Sequence, residues 1–190
     1  NALADRLASR GVDVLGAPVS GGPHGAQAGT LSVMVGGDPA LAGAIDPILA
    51  AFSDERFHVG ESPGDGHATK LLNNYLSYTA LVATSEAVVL GASAGLDPAQ
   101  LVSVFSASTG RNSATDHKFP NLILAGEDHG FPLVLSEKDT RLFTEFARDQ
   151  DVPVMLGHLV HHLLGYARRA EGDEADLTRI YDFLESVMTH

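Results

Sequence analysis

The sequence predicts an α/β piece joined by one long helix to an all-helical domain. Three observations carry this reading. Up to Val59 the chain runs helix, strand, glycine-rich loop, strand, helix, strand, the order expected at the tail of an α/β sheet. From Gly66 to Gly95 there is no proline, no internal glycine before Gly91, and an excess of Ala and Leu, which favours one unusually long helix. After that helix no convincing strand occurs. The corresponding boundaries are residues 1–62, 63–96 and 97–190.

The elements follow in order. Ala2 to Ser9 places Leu3 and Leu7 at i, i+4 and stops at Gly11, as a short helix does. Val12 to Ala17 reads as a strand, and Pro18 to Gly25 as a loop, with Gly29 closing the glycine-rich stretch. Leu31-Ser32-Val33-Met34-Val35 alternates cleanly and is a second strand, ended by Gly36-Gly37. Asp38-Pro39 pairs an N-cap with a first-turn proline, opening a helix to about Phe52 that Pro47 interrupts or restarts. Phe57-His58-Val59 is a short third strand.

On the long helix, Leu71, Leu72, Tyr75, Leu76, Tyr78, Leu81 and the later Val and Leu residues surround most of the circumference. Burial on several sides is therefore expected. Asp97-Pro98 caps the next helix, and Ala114 to Phe119 forms a helical turn after a polar loop. Phe131 to Arg148 reads as a helix with Leu135, Leu142, Phe143 and Phe146 inward, followed by helices over Pro153 to Ala170 and Asp176 to Met188.

Composition narrows the function. The net charge of −12 argues against non-specific binding to nucleic acid or anionic lipid. No apolar run reads as long enough to span a membrane, and no basic-then-apolar leader precedes the first helix. With no cysteine there is no disulfide, thiolate metal site or cysteine nucleophile, and a cytoplasmic setting is expected. The chain starts at Asn1 inside a helical pattern, which reads as the remainder of a longer protein.

Several groups of residues could carry chemistry. Lys70, Asn73, Asn74 and Ser77 fall at i, i+3, i+4 and i+7, which stacks them on one face of the long helix. That stripe is either a cleft for a polar ligand or the helix's wet side. Lys70 has the chemistry of a general acid/base if its pKa is lowered towards neutrality, and Asn74 lies one turn further on. Ser20-Gly21-Gly22 follows a strand and offers backbone N–H groups and a hydroxyl to an anion such as a carboxylate, although most such loops are only turns. Gly64-Asp65-Gly66 imitates the start of a dinucleotide fingerprint, but its third small residue is wrong and no later acidic residue of a βαβ unit follows. Lys138-Asp139 has the pattern of a surface ion-pair helix. His158, His161 and His162 share a metal-like spacing, yet no carboxylate lies between them, so no metal is expected.

Taken together, these pieces resemble a known family. Ala17-Pro18-Val19-Ser20-Gly21-Gly22, Gly29-Thr30-Leu31 with Met34-Val35-Gly36-Gly37, Gly64-x-Gly66-x-x-x-Lys70-x-x-Asn73-Asn74, Gly130-Phe131 and Lys138-Asp139 occur in the order found in the β-hydroxyacid dehydrogenases. This is the group of 3-hydroxyisobutyrate dehydrogenase and tartronate semialdehyde reductase, related to 6-phosphogluconate dehydrogenase. The resemblance runs from about Val12 to Met188. It implies an α/β remnant of a Rossmann domain, a long interdomain helix and an all-α C-terminal domain. It also implies hydride transfer between a small 3-hydroxy acid, or its semialdehyde, and NAD or NADP.

Carried over residue by residue, Lys70 is the general acid/base and Asn74 positions the hydroxyl or carbonyl, with Asn73 beside it. Ser20, Gly21 and Gly22 bind the substrate carboxylate, and Lys138 and Phe131 lie on the cofactor side. A homodimer or homotetramer is implied as well. Two positions depart from the family pattern: Gly16 replaces the usual Asp, and Thr140 replaces an apolar residue. The family's glycine fingerprint is not among these residues, so a chain beginning at Asn1 is expected to be inactive by itself. The rival reading is a non-catalytic oligomerisation or partner-binding module on the same helical scaffold. An imine reductase is disfavoured, because those relatives generally replace the lysine that is present here as Lys70.

Overall fold

The structure is a computed structural model and describes residues 1–189. It divides into two compact units, Asn1–Asn73 and Asn74–His190, and the division falls within one continuous helix.

The first unit is a small mixed sheet with helices. Helix α1 (Ala2–Ala8) is followed by strand β1 (Val19–Ser20), helix α2 (Gly22–Ala28), strand β2 (Leu31–Gly36), helix α3 (Pro39–Leu49) and strand β3 (Ser53–Gly60). The strands lie in the order β1-β2-β3; β1 is antiparallel to β2, with Val19 opposite Val33, and β3 is parallel to β2, with Met34 opposite Phe57. Parallel pairing needs a crossover, and α3 supplies it, capped by the Asp38 carboxylate accepting the Leu41 N–H at 2.8 Å. Val33, Val35 and Leu49 form the buried centre, with Leu15, Ala17, Ile45 and Phe52 packed against it.

Two expectations from the sequence do not hold in this unit. Val12 to Ala17 is not a regular strand, and its ladder contact is a single bridge between Gly16 and Gly36. The segment that reads as loop instead contains β1 and the start of α2. Gly21 (φ +133°) and Gly22 (φ +62°) let the backbone turn from strand to helix at positive φ, so a glycine cluster here marks a tight junction.

The long helix α4 spans Pro63–Ser93, three residues earlier at its start than Gly66. By length and composition it would qualify as a membrane span, contrary to the sequence expectation. Within the second unit it serves as a core helix, burying Tyr78, Leu81, Val82 and Val88. It is not buried on several sides, however. Leu76 and Leu90 are 65% and 67% exposed, so the circumferential apolar pattern is only partly covered.

The second unit adds helix α5 (Pro98–Ala107), a π-helical segment (Ala114–Ile123), α6 (Leu133–Asp149), α7 (Met155–Glu171), a short 3₁₀ turn (Leu177–Arg179) and α8 (Ile180–Met188). Its core joins α4 residues to Phe119, Leu133, Val160, Leu164, Ile180 and Leu184. Leu135, expected inward, is exposed, because the buried face of α6 runs through Leu133, Ser136, Thr140 and Phe143. The expected single turn at Ala114 is a longer helical segment wound with wider i→i+5 bonds, as in Leu124 N–H to Phe119 O at 3.0 Å.

Candidate functional site

Helix α4 presents the polar stripe. Lys70, Asn74 and Ser77 are half-buried and Asn73 is exposed. The start of the helix is fixed by reciprocal bonds: Asp65 Oδ2 accepts the Ser62 N–H at 2.9 Å, while the Asp65 N–H donates to Ser62 O at 2.9 Å. Its seat on the sheet depends on the absence of side chains. A Cβ on Gly66 would meet Met34 O and lie 2.7 Å from Gly16 O; one on Gly36 would lie 2.6 Å from Gly66 N. Gly66 thus serves close packing of helix on sheet. This also explains Gly16, where any side chain would collide with Pro63 O.

In the second unit the stripe meets α6. Asn74 Nδ2 donates to Asp139 Oδ2 at 2.8 Å, and the Tyr78 hydroxyl donates to the same oxygen at 3.1 Å. Lys138 Nζ sits 2.9 Å from Asp139 Oδ1. Asp139 is buried and Lys138 is half exposed, so a hidden carboxylate holds two donors on α4 and one accessible ammonium. Burial, and then the Asp139 charge and hydrogen bond, push the Tyr78 hydroxyl pKa far above its ordinary value, so Tyr78 stays protonated as a donor. With one amide hydrogen committed, Asn74 keeps a second N–H and its carbonyl oxygen for another partner.

Ser20 ends β1, and Gly21 and Gly22 lead into α2, whose first N–H groups have no intrahelical partner. Phe131 lies 6.4 Å ring to ring from Tyr78. Its backbone is fixed by Asp176, whose carboxylate accepts the N–H groups of His129, Gly130, Phe131 and Thr178 at 2.8–3.0 Å. Burial alone would raise the Asp176 pKa, but these backbone donors outweigh it and hold the carboxyl below its usual value. The structure thus brings Asn74, Lys138 and Phe131 into one neighbourhood around Asp139 and Tyr78.

Spacing alone does not place Asp139 and Tyr78 together, since one resembles a surface charge and the other a core aromatic. Spacing also does not single out Lys118, which is buried in the π-helical segment with its ammonium 3.0 Å from Ser77 Oγ. Thr140 is accommodated because its hydroxyl donates back to Ser136 O at 3.0 Å within the helix. His161 lies 3.6 Å from Glu137 Oε1 and against the His162 ring; among the described residues no group of three or more ligands gathers as for a metal.

A small α/β unit continued by a long helix into a helical unit is the architecture of Rossmann-type dehydrogenases with a helical C-terminal domain. Residues 64–184 match the family model described as NAD-binding of NADP-dependent 3-hydroxyisobutyrate dehydrogenase, and residues 1–60 match the NAD binding domain of 6-phosphogluconate dehydrogenase. The chain belongs to the β-hydroxyacid dehydrogenase family, whose cofactor is NAD or NADP. It is 37% identical to a 2-(hydroxymethyl)glutarate dehydrogenase of Eubacterium barkeri, over 80% of this chain and 50% of that one. It is 34% identical to a 3-hydroxyisobutyrate dehydrogenase of Pseudomonas aeruginosa, over 92% of this chain and 61% of that one. Among solved structures, Mycobacterium tuberculosis 3-hydroxyisobutyrate dehydrogenase with L-serine superposes with a TM-score of 0.85 at 27% identity, covering 96% of this chain and 65% of that one. The chain therefore spans 50–61% of the length of these curated relatives.

Gly64 and Gly66 are used for packing, and among the described residues there is no glycine turn of the kind that grips a pyrophosphate. Near Asp139, Lys138 offers an accessible cation and Phe131 an aromatic surface.

Proposed function

We propose that these residues form the acid/base and substrate-holding part of an NAD(P)-dependent oxidoreductase acting on a small 3-hydroxy acid or its semialdehyde. The observation that carries the reading is the Lys70-x-x-Asn73-Asn74 stripe on α4, with Asn74 oriented by a buried carboxylate beside Lys138. A bound nicotinamide would supply the hydride chemistry at the carbinol carbon. The protein's residues handle the proton and the carboxylate.

In the oxidative direction Lys70, as the neutral amine, accepts the hydroxyl proton; in the reductive direction its ammonium returns a proton to the carbonyl oxygen. Asn74 donates its second N–H to that oxygen, and Asn73 supports it. Ser20 Oγ and the N–H groups of Gly21 and Gly22 hold the carboxylate. Lys138 and Phe131 flank the cofactor. Relatives named for 3-hydroxyisobutyrate and 2-(hydroxymethyl)glutarate set the substrate class: a carboxylic acid bearing a hydroxymethyl group. Turnover by the 190 residues alone is not expected, because among the described residues there is no glycine turn to grip a pyrophosphate. The cysteine-free composition is compatible with a cytoplasmic enzyme, and exposed apolar side chains on α4 and α7 favour a homodimer or homotetramer.

The test uses a chain that carries these residues together with a complete dinucleotide turn. Lys70→Ala should lower hydride transfer to semialdehyde substrates by roughly a hundredfold to ten-thousandfold. Undiminished transfer would remove Lys70 from its role. Titrating NADH and NADPH against the same protein identifies the preferred cofactor.

A further inference from the structure

Lysine is scarce in this chain: of twelve Lys and Arg residues, nine are Arg and three are Lys, namely Lys70, Lys118 and Lys138. The proposed chemistry uses Lys70 and Lys138 and leaves Lys118 without a role. Lys118 is the buried one, 6% exposed. Its Nζ donates to Ser77 Oγ at 3.0 Å and to Ser113 Oγ at 3.3 Å. Among the described residues no carboxylate lies within ion-pairing distance of it. Every other cation of the second unit except Arg169, which lies over the Tyr166 ring, has a carboxylate within 4.0 Å.

A buried ammonium held only by neutral hydroxyls is costly, and burial accordingly lowers the Lys118 pKa. An ordinary structural lysine would have a carboxylate partner or would extend its ammonium into water. Lys118 instead ends at two hydroxyls, those of the half-buried Ser77 and the exposed Ser113. Ser77 belongs to the stripe: it follows Asn74 by three residues on α4 and so lies on the same face. Lys118 is also carried by a π-helical segment, a geometry that is rare and concentrated at functional sites.

We propose that Lys118, with the Ser77 and Ser113 hydroxyls, forms an anion subsite for a second carboxylate on the substrate. The inference rests on the dehydrogenase reading and sharpens it: the preferred substrate is a dicarboxylic hydroxy acid. Its reacting end is handled by Lys70 and Asn74, and its far carboxylate is received by an ammonium and two hydroxyls. Three donors around one oxyanion, in a chain of net charge −12, give an acidic tail a local site that the overall field would otherwise oppose.

The experiment measures binding without turnover, so its outcome is independent of whether the dehydrogenase assignment holds. Glutarate and butyrate are titrated by calorimetry into the full-length protein, as parent, Lys118→Met and Ser113→Ala. The expected result is that Lys118→Met weakens glutarate roughly tenfold to hundredfold and Ser113→Ala weakens it several-fold, while butyrate changes little in either. Equal weakening of both ligands, or no weakening of glutarate, would overturn the subsite. Lys118→Met preserves side-chain length and apolar stem, and circular dichroism checks its fold. If it does not fold, Ser113→Ala, at an exposed position, decides by the same comparison. Absence of hydride transfer in a parent that still distinguishes the two acids would overturn the dehydrogenase reading and leave the subsite standing.

Discussion

Asn74 and Asp139 meet at 2.8 Å, so the carboxamide on α4 is oriented by a buried carboxylate on α6. The same carboxylate accepts the Tyr78 hydroxyl and pairs with Lys138, which makes it the common support of three side chains. Asp139 itself touches no reacting atom in the proposed chemistry. It is a positioning residue.

Replacing Asp139 with Ala strands two donors that it now holds, the buried Tyr78 hydroxyl and the Asn74 amide. The expected cost is about 2 kcal/mol of stability, read by denaturant unfolding. In the full-length enzyme kcat should also fall by roughly tenfold to a hundredfold, because Asn74 loses its orientation. Tyr78→Phe removes one donor and leaves its acceptor satisfied, so it should cost about 1 kcal/mol and leave kcat nearly unchanged. Equal kcat in Asp139→Ala and its parent would reduce the carboxylate to a purely structural role.

Two glycines on helices should respond in opposite ways. Gly66 lies where a Cβ would strike the backbone oxygens of Met34 and Gly16, which cannot rotate away. Gly66→Ala is therefore expected to destabilise the first unit by about 1–3 kcal/mol. Gly43, inside α3, has no atom within 4 Å of the place a methyl group would take. Gly43→Ala should stabilise by about 0.5–1 kcal/mol through helix propensity. Thermal melts of both variants check the pair, and a stabilised Gly66→Ala would contradict the packing argument.

The contrast between these residues also shows what the sequence revealed. The strands at Leu31–Val35 and Phe57–Val59, the length of α4 and the Lys70–Asn74–Ser77 stripe are local patterns, and all are legible from spacing. Asp139 was not, because a Lys-Asp pair on a helix has the same spelling whether it faces water or a neighbouring helix. Lys118 was hidden twice over. Lysines are seldom buried, and Pro120 two residues later signals the end of an ordinary helix, whereas here it sits within a π-helical segment. Gly21 and Gly22 signal a turn but not the helix α2 that begins at Gly22.

Acidification should weaken the second unit through His161. Burial holds its pKa below 6.5; Glu137 opposes that shift, and His162 and Arg141 reinforce it. The unfolded chain then takes up a proton before the folded one does. The stabilisation is complete above the unfolded value of 6.5 and is lost as pH falls from there through the folded pKa. Asp176 acts in a separate window, below its unfolded value of 3.8. Unfolding free energy measured from pH 7.5 to 5 should decline in the parent and decline less in His161→Gln. Identical slopes would assign the loss to other groups.

The exposed apolar side chains on the helices should govern assembly. On α7, Met155 is 87% exposed, and Leu159 and Tyr166 follow at i+4 and i+11, on the same face. On α4, Leu76 and Leu90 are similarly open. Isolated apolar residues on a surface are ordinary, but stripes along two helices are the pattern of a face that meets another subunit. A glutamate placed at the centre of such a face would have to be desolvated without a partner. In the proposed homodimer, Leu159→Glu should therefore shift the protein towards monomers, with dimer affinity weakened on the order of a hundredfold, as read by light scattering across a concentration series. Leu76→Glu tests the α4 stripe in the same way, and the exposed Leu135→Glu on α6 is the control that should leave the mass unchanged. An unaltered mass for both Leu159→Glu and Leu76→Glu would exclude these stripes from the interface.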